Sequence, residues 1–219
     1  MTVSDMKSTL LVFLALAAVA NAGTIIYTDH AGDGNQNPGF PGNLAYNFDV
    51  NTSITVTALG VFNADGTGTI TGPIKVAIFN DTTDTEVTPE VTFSGTYTPA
   101  GEGYDVFQSI APVILAPGHY QVVAVGFGVD PNGNLTFPNA GPRVTLNDAG
   151  GAITFTGSAF DFNATLDSPD TCDACVDATH QWNAGTFQIA DNSAAPEPGS
   201  MALIGLGLAG AALLRRRTV

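Results

Sequence analysis

Positive charge is what this chain has least of. Of its 219 residues only six are Lys or Arg, against 20 Asp and Glu, for a formal net charge of −14. Four of those six, Lys7 and Arg215 to Arg217, sit in the terminal segments. Residues 23–195 keep only Lys75 and Arg143 beside 18 acids, a net charge of −16. Such a body is not built for nucleic acid, whose phosphates need Lys and Arg. It also disfavours anionic membrane surfaces and stays soluble through mutual repulsion. Long amphipathic helical patterns are missing. No G-x-S-x-G occurs, so no serine has a nucleophile-elbow setting. Many carboxylates could pair as in a glycosidase, but nothing in the sequence selects a pair at the needed separation.

What is present is a run of short alternating segments divided by turn residues, which predicts an all-β fold closed as a two-sheet β-sandwich, jelly-roll or Ig-like. Leu44 to Val50 puts Leu44, Tyr46, Phe48 and Val50 on one face. Ile54 to Phe62 follows, then a turn over residues 63–68 with Asp65-Gly66 suited to a tight hairpin. Ile74 to Phe79 faces Ile74, Val76 and Ile78 inward. Val91, Phe93 and Tyr97 mark a strand with Gly95 at a bulge. Tyr104 to Ile110 leads into Val113 to Leu115. After Ala116-Pro117-Gly118, His119 to Phe127 is the longest β-branched run and is expected as a central strand. Arg143 to Asn147, Ile153 to Phe162 and Thr186 to Ala190 bring the total to about nine to eleven strands.

Both ends carry segments of another kind. Near the start, Lys7 gives a basic region, Leu10 to Val19 an apolar core, and Ala20-Asn21-Ala22 an A-x-A cleavage site, with Ala20 and Ala22 as its small residues. Residues 1–22 are therefore expected as a signal peptide, with Met1 or Met6 as initiator, and the mature chain starts at Gly23. Near the end, Pro196-Glu197-Pro198 precedes an apolar run from Met201 to Leu214 and the basic stop Arg215-Arg216-Arg217. Fourteen residues make about 21 Å of helix, short of the roughly 30 Å of a hydrocarbon core, so the run suits a temporary transmembrane anchor. The arginines set its orientation. This cassette resembles the PEP-CTERM signal of exported bacterial proteins, which implies recognition by an exosortase membrane protease, beside signal peptidase and the secretion machinery. The organisation expected is residues 1–22 signal peptide, 23–190 sandwich, 191–199 linker with the tripeptide, and 200–219 hydrophobic sorting helix.

The stretch from Ile54 to Phe127 also resembles an uncharacterised family of bacterial extracellular β-sandwich domains. The likeness rests on Ala58 to Phe62, Ile74 to Phe79 and Leu115-Ala116-Pro117-Gly118-His119-Tyr120, the last as a Pro-Gly hairpin into a Tyr strand. It implies a jelly-roll-like fold and no catalytic residues.

Candidate sites in the body have plain competing explanations. Cys172 and Cys175 have C-x-x-C spacing; export favours a disulfide, ahead of a metal site completed by His180. Asp33 to Asn37 and Asp130 to Asn134 read D-x-N-x-N, a spacing open to calcium, but turn chemistry favours the same residues. No cofactor is expected, and calcium is the single ion the loops admit. His30 is expected at the surface and His119 at an exposed edge. Trp182 is expected in the core rather than stacked on a sugar. The N-x-S/T sequences at Asn51, Asn80, Asn134 and Asn163 are read as turns, since the C-terminal cassette is bacterial. The reading favoured is a non-enzymatic exported surface or matrix protein associated with exopolysaccharide or biofilm. A carbohydrate- or calcium-dependent binding module comes second, and a polysaccharide-active enzyme third.

Overall fold

A computed structural model describes residues 23–29, 40–128, 144–169 and 184–191. The strands are β1 (Thr24–Ile25), β2 (Tyr27–Asp29), β3 (Leu44–Val50), β4 (Ile54–Phe62), β5 (Thr69–Asn80), β6 (Thr85–Glu86), β7 (Val91–Thr96), β8 (Asp105–Leu115), β9 (Gly118–Val125), β10 (Val144–Leu146), β11 (Ile153–Phe160) and β12 (Gly185–Ile189). No helix occurs among the described residues. A four-stranded sheet runs β1-β12-β4-β8 and a larger sheet runs β11-β3-β9-β5-β6, with β7 also on β5; β2 and β10 form a small third sheet. All pairs are antiparallel. The fold is the expected all-β architecture, consistent with a sandwich.

Alternation builds the core. Leu44, Tyr46, Phe48 and Val50 of β3 turn inward beside Tyr120, Val122 and Ala124 of β9 and Ile74, Val76 and Ile78 of β5. Phe187 of β12 meets Phe48 across the gap, ring centroids 5.0 Å apart. Each such buried aromatic or aliphatic side chain contributes about 1.5–3 kcal/mol. As expected, β9 is central, between β3 and β5.

Two turns differ from the sequence reading. The segment 63–68 joins β4 to β5, and residues 116–117 join β8 to β9; in each case the two strands belong to different sheets. They are arches between layers and not hairpins. The same residues serve either geometry, because both need a tight reversal and positive φ, here at Gly66 and Gly68. Asn63 organises the first arch, accepting from Gly68 N at 2.6 Å and donating to Thr69 O. In the second, Tyr120 Oη donates to Ala116 O at 2.9 Å.

The reason β9 is apolar on both sides lies outside the sandwich. Val123, Ala77, Phe79, Ala45 and Ala159 form a second small core on the outer face of the larger sheet, with Leu166 packed over it. The covering strap is residues 161–168. The strand expected to run to Phe162 ends at Phe160, and the chain leaves the sheet there. Asn43, fully buried, ties the strap down. Its amide group donates to Asp161 Oδ1 (2.9 Å) and to the carbonyls of Thr165 (2.9 Å) and Asn163 (3.2 Å). Two nested Asx turns follow, Asn163 N to Asp161 Oδ1 and Thr165 N to Asn163 Oδ1. Asn80 accepts from Thr82 N and Thr83 N, and Asn51 donates to Gly151 O and Thr154 Oγ1. So Asn80 and Asn163 form local turns, Asn51 lies in the bend between β3 and β4 and ties it to the start of β11, and Asn134 lies outside the described residues. Gly126 has φ +116°, and a Cβ there would lie 2.3 Å from Pro73 O, so the exit from β9 admits only glycine.

Asn43→Ala removes the three side-chain bonds that hold the first part of the strap, to Asp161, Asn163 and Thr165. It should destabilise the domain by about 2–3 kcal/mol, seen as a lower urea midpoint at unchanged m-value. An unshifted midpoint would mean the strap does not depend on Asn43.

Candidate functional site

The site that sequence reasoning points to is the tail, and the fold determines where the tail begins. Strand β12 lies between β1 and β4, with Thr24 opposite Ile189 and Gly185 opposite Val61. Ala190 N donates to Thr55 O at 2.8 Å, and Thr24 Oγ1 donates to Asp191 Oδ1. Gly23 is packed against the same strand; a Cβ there would lie 2.7 Å from Ile189 O. Because β1 and β12 are antiparallel, the chain enters at Gly23 and leaves at Asp191 through one corner of the four-stranded sheet. The residues proposed for signal cleavage, Ala20 and Ala22, lie outside the described residues. So do the sorting residues Pro196, Glu197, Pro198 and Arg215 to Arg217, with the hydrophobic helix expected over 200–219. Cys172, Cys175, His30, His180, Trp182 and both D-x-N-x-N loops also fall outside them.

Of the named polar residues in the domain, His119 is described. It stands at the start of β9, exposed at the end of an interior strand and not on a sheet edge. Its Nδ1 is 2.5 Å from Asp49 Oδ1. Below it on the outer face, Gln121 Nε2 donates to Asp81 Oδ1 at 2.6 Å. Ser168 Oγ lies 3.1 Å from Gln121 Oε1 and 3.2 Å from Asp84 Oδ1, and its one proton serves one of them at a time. Burial, followed by the charge of Asp84, lifts the Asp81 carboxyl above its ordinary range. These bonds fasten the far end of the strap, so a structural task accounts for them. Lys75 is paired with Glu90 at 3.0 Å. Among the described residues no group of three or more His, Cys, Asp or Glu is placed to hold a metal ion.

The feature that sequence reasoning missed is a pair of interior carboxyls. Asp29 of β2 and Asp105 of β8 are both fully buried. Asp29 N donates to Asp105 Oδ2 at 3.1 Å. Burial first, then the neighbouring Asp105, pushes the Asp29 carboxyl well above the usual carboxylate range. A signal did exist: Tyr27-Thr28-Asp29 alternates, so Asp29 shares a face with the core residue Tyr27. Only a strand assignment for that segment would have exposed it.

His119 gives a pH test. The hydrogen bond that the His119 ring donates to the Asp49 carboxylate, with the charge of Asp49, raises the His119 pKa above 6.5. A raised folded-state value means that the pair's stabilisation is complete below the unfolded pKa and is lost as pH rises through the folded one. The effect is small because the ring is exposed. The imidazole titration followed by NMR should have a midpoint above 6.5, returning to the ordinary value in Asp49→Asn. No change in that variant would remove Asp49 as the cause.

No curated protein matches the chain. Residues 194–217 match the PEP-CTERM protein-sorting motif. That match covers the tripeptide, the apolar run and the arginines, and it supports an exported protein that passes through a membrane-anchored stage and is processed by exosortase.

Proposed function

We propose that this chain is a non-enzymatic surface or extracellular-matrix protein, associated with exopolysaccharide, whose sandwich is the delivered part and whose tail is its address. The observation that carries this reading is the sorting motif at residues 194–217 following directly on a strand that completes the domain. Both chain ends leave through one corner, so a single pole of the sandwich faces the membrane while the chain is anchored. The opposite pole then points away from it. A net charge of −16 over residues 23–195 keeps such a body soluble after release and away from anionic lipid. The non-enzymatic part rests on the described polar clusters, whose bonds hold the strap and the arches.

In the linker, Pro196 and Pro198 lack backbone donors and restrict the residues before them, which keeps the tripeptide extended and open to a protease. Replacing Pro196-Glu197-Pro198 by three alanines should leave the domain folded but retained, unprocessed, in the membrane fraction. Cell fractionation with mass comparison to wild type reads the result. Release at the same mass and rate as wild type would remove the tripeptide as the processing signal.

A further inference from the structure

The end of the four-stranded sheet from which the tail departs also carries an exposed apolar rim. Ala190 N donates to Thr55 O, and Thr55 lies opposite Ile114 near the end of β8. Neighbouring strands are about 4.8 Å apart, so Ile114 stands about 10 Å across the sheet from the departing chain. Val113 and Leu115 turn to the core, so alternation turns Ile114 outward, and it is 72% exposed. Ala111, Pro112, Ala116 and Pro117 beside it are exposed as well. Residues 106–118 carry no charge, and neither do residues 50–57 in the adjoining strands and bend. One exposed aliphatic side chain means little by itself. Strand pairing with a second copy does not account for this one. β8 is the edge of its sheet, but Pro112 offers no N–H to an incoming strand. Gln108 Nε2 donates to Thr92 O, which ties the earlier part of that edge to β7.

The length of the tail selects the occupant. Nine residues, 192–200, separate the described domain from the apolar run that begins at Met201. Fully extended they span about 30 Å. While the run sits in a bilayer, this end of the sandwich is therefore held at the membrane surface. We propose that the end of β8 and its arch, Ile114 with Ala116 and Pro117, rest in the headgroup region of the lipid bilayer while the chain is anchored, and let go once the tail is cut. The proposal rests on the membrane-anchored stage of the reading above. A short tether gives an effective concentration on the order of millimolar, so a contact too weak to recruit a free protein forms in the anchored one. The same weakness releases the domain after cleavage. Asp49, Asp81, Asp84 and Asp148 at this end belong to the larger sheet or its turns, the other layer, about 10 Å away. A tilt toward the four-stranded sheet dips the uncharged rim and leaves those acids in water. Asp191, at the exit itself, accepts from Thr24 Oγ1.

The test uses the unprocessed chain, with its tail, reconstituted into phosphatidylcholine vesicles. A benzophenone amino acid replaces Ala116 or, at the opposite pole, the exposed Thr67. Flotation with the vesicles establishes anchoring first. Illumination should then give a lipid adduct, read by mass, at position 116 and little at position 67. Ile114→Asp should lower the adduct at position 116 by about tenfold, since a carboxylate resists entry into lipid. Ile114 is exposed, so that variant keeps its fold, which β-rich circular dichroism verifies. Protein released into the medium and mixed with the same vesicles should give no adduct. A floated chain without lipid adduct at position 116 would overturn the proposal and leave the anchored stage intact. Equal adducts at both positions, an adduct undiminished by Ile114→Asp, or one equally strong with released protein would overturn it too. A second copy of the chain captured in place of lipid, or exosortase captured in place of lipid when the same probe is used in cells, would assign the rim to a protein partner and overturn it. Failure to float would instead remove the anchored stage itself, and this proposal with it.

Discussion

The last strand of the domain is an interior strand, and the rest of the structure depends on that placement. β12 fills the gap between β1 and β4, and Phe187 reaches from it into the core against Phe48 and Tyr27. Thr186 Oγ1 donates to Tyr27 O at 2.6 Å, which holds the bend between β1 and β2. Without β12 the four-stranded sheet divides, and β1 has no partner. The sandwich therefore closes only when the chain is present through Ile189, two residues before the described segment ends at Asp191. Folding and display are linked in this way: the residues that finish the core also hold the point from which the sorting tail departs.

The larger sheet depends on a different device. Its outer face is covered by a strap with no regular hydrogen-bond ladder, held by side chains at both ends, Asn43 at one and Ser168 at the other. A strap of this kind must satisfy its own backbone groups, and the Asx turns at Asp161 and Asn163 do so. Its cover makes β9 a strand buried on both faces, the situation that produces continuous apolar runs.

Much of this was legible in the sequence because it is local. Strands β3 to β5 and β9 announce themselves by period-2 alternation, and the tail announces itself by a linear order of Pro-Glu-Pro, apolar run and arginines. What was not legible depends on partners far away in the chain. Whether Ala116-Pro117-Gly118 makes a hairpin or an arch turns on which sheet β8 joins, and turn chemistry is silent on that. The strap could not be anticipated from residues 161–168, since Asp161 and Asn163 look like ordinary turn formers until Asn43 is placed beside them. β1 and β2 together span six residues and derive their order from β12 and β10, more than 100 residues downstream. Asp29 went unnoticed for that reason. Nothing in the order of the chain announces that it meets Asp105.

The central claim is that the folded sandwich is delivered and its two membrane-directed ends are removed. The intact mass of the protein recovered from the medium tests it most directly. The account predicts a chain that begins at Gly23 and lacks Met201 to Val219, with β-rich circular dichroism. A released protein that still carries the apolar run and the terminal arginines, or one that retains residues 1–22, would contradict it.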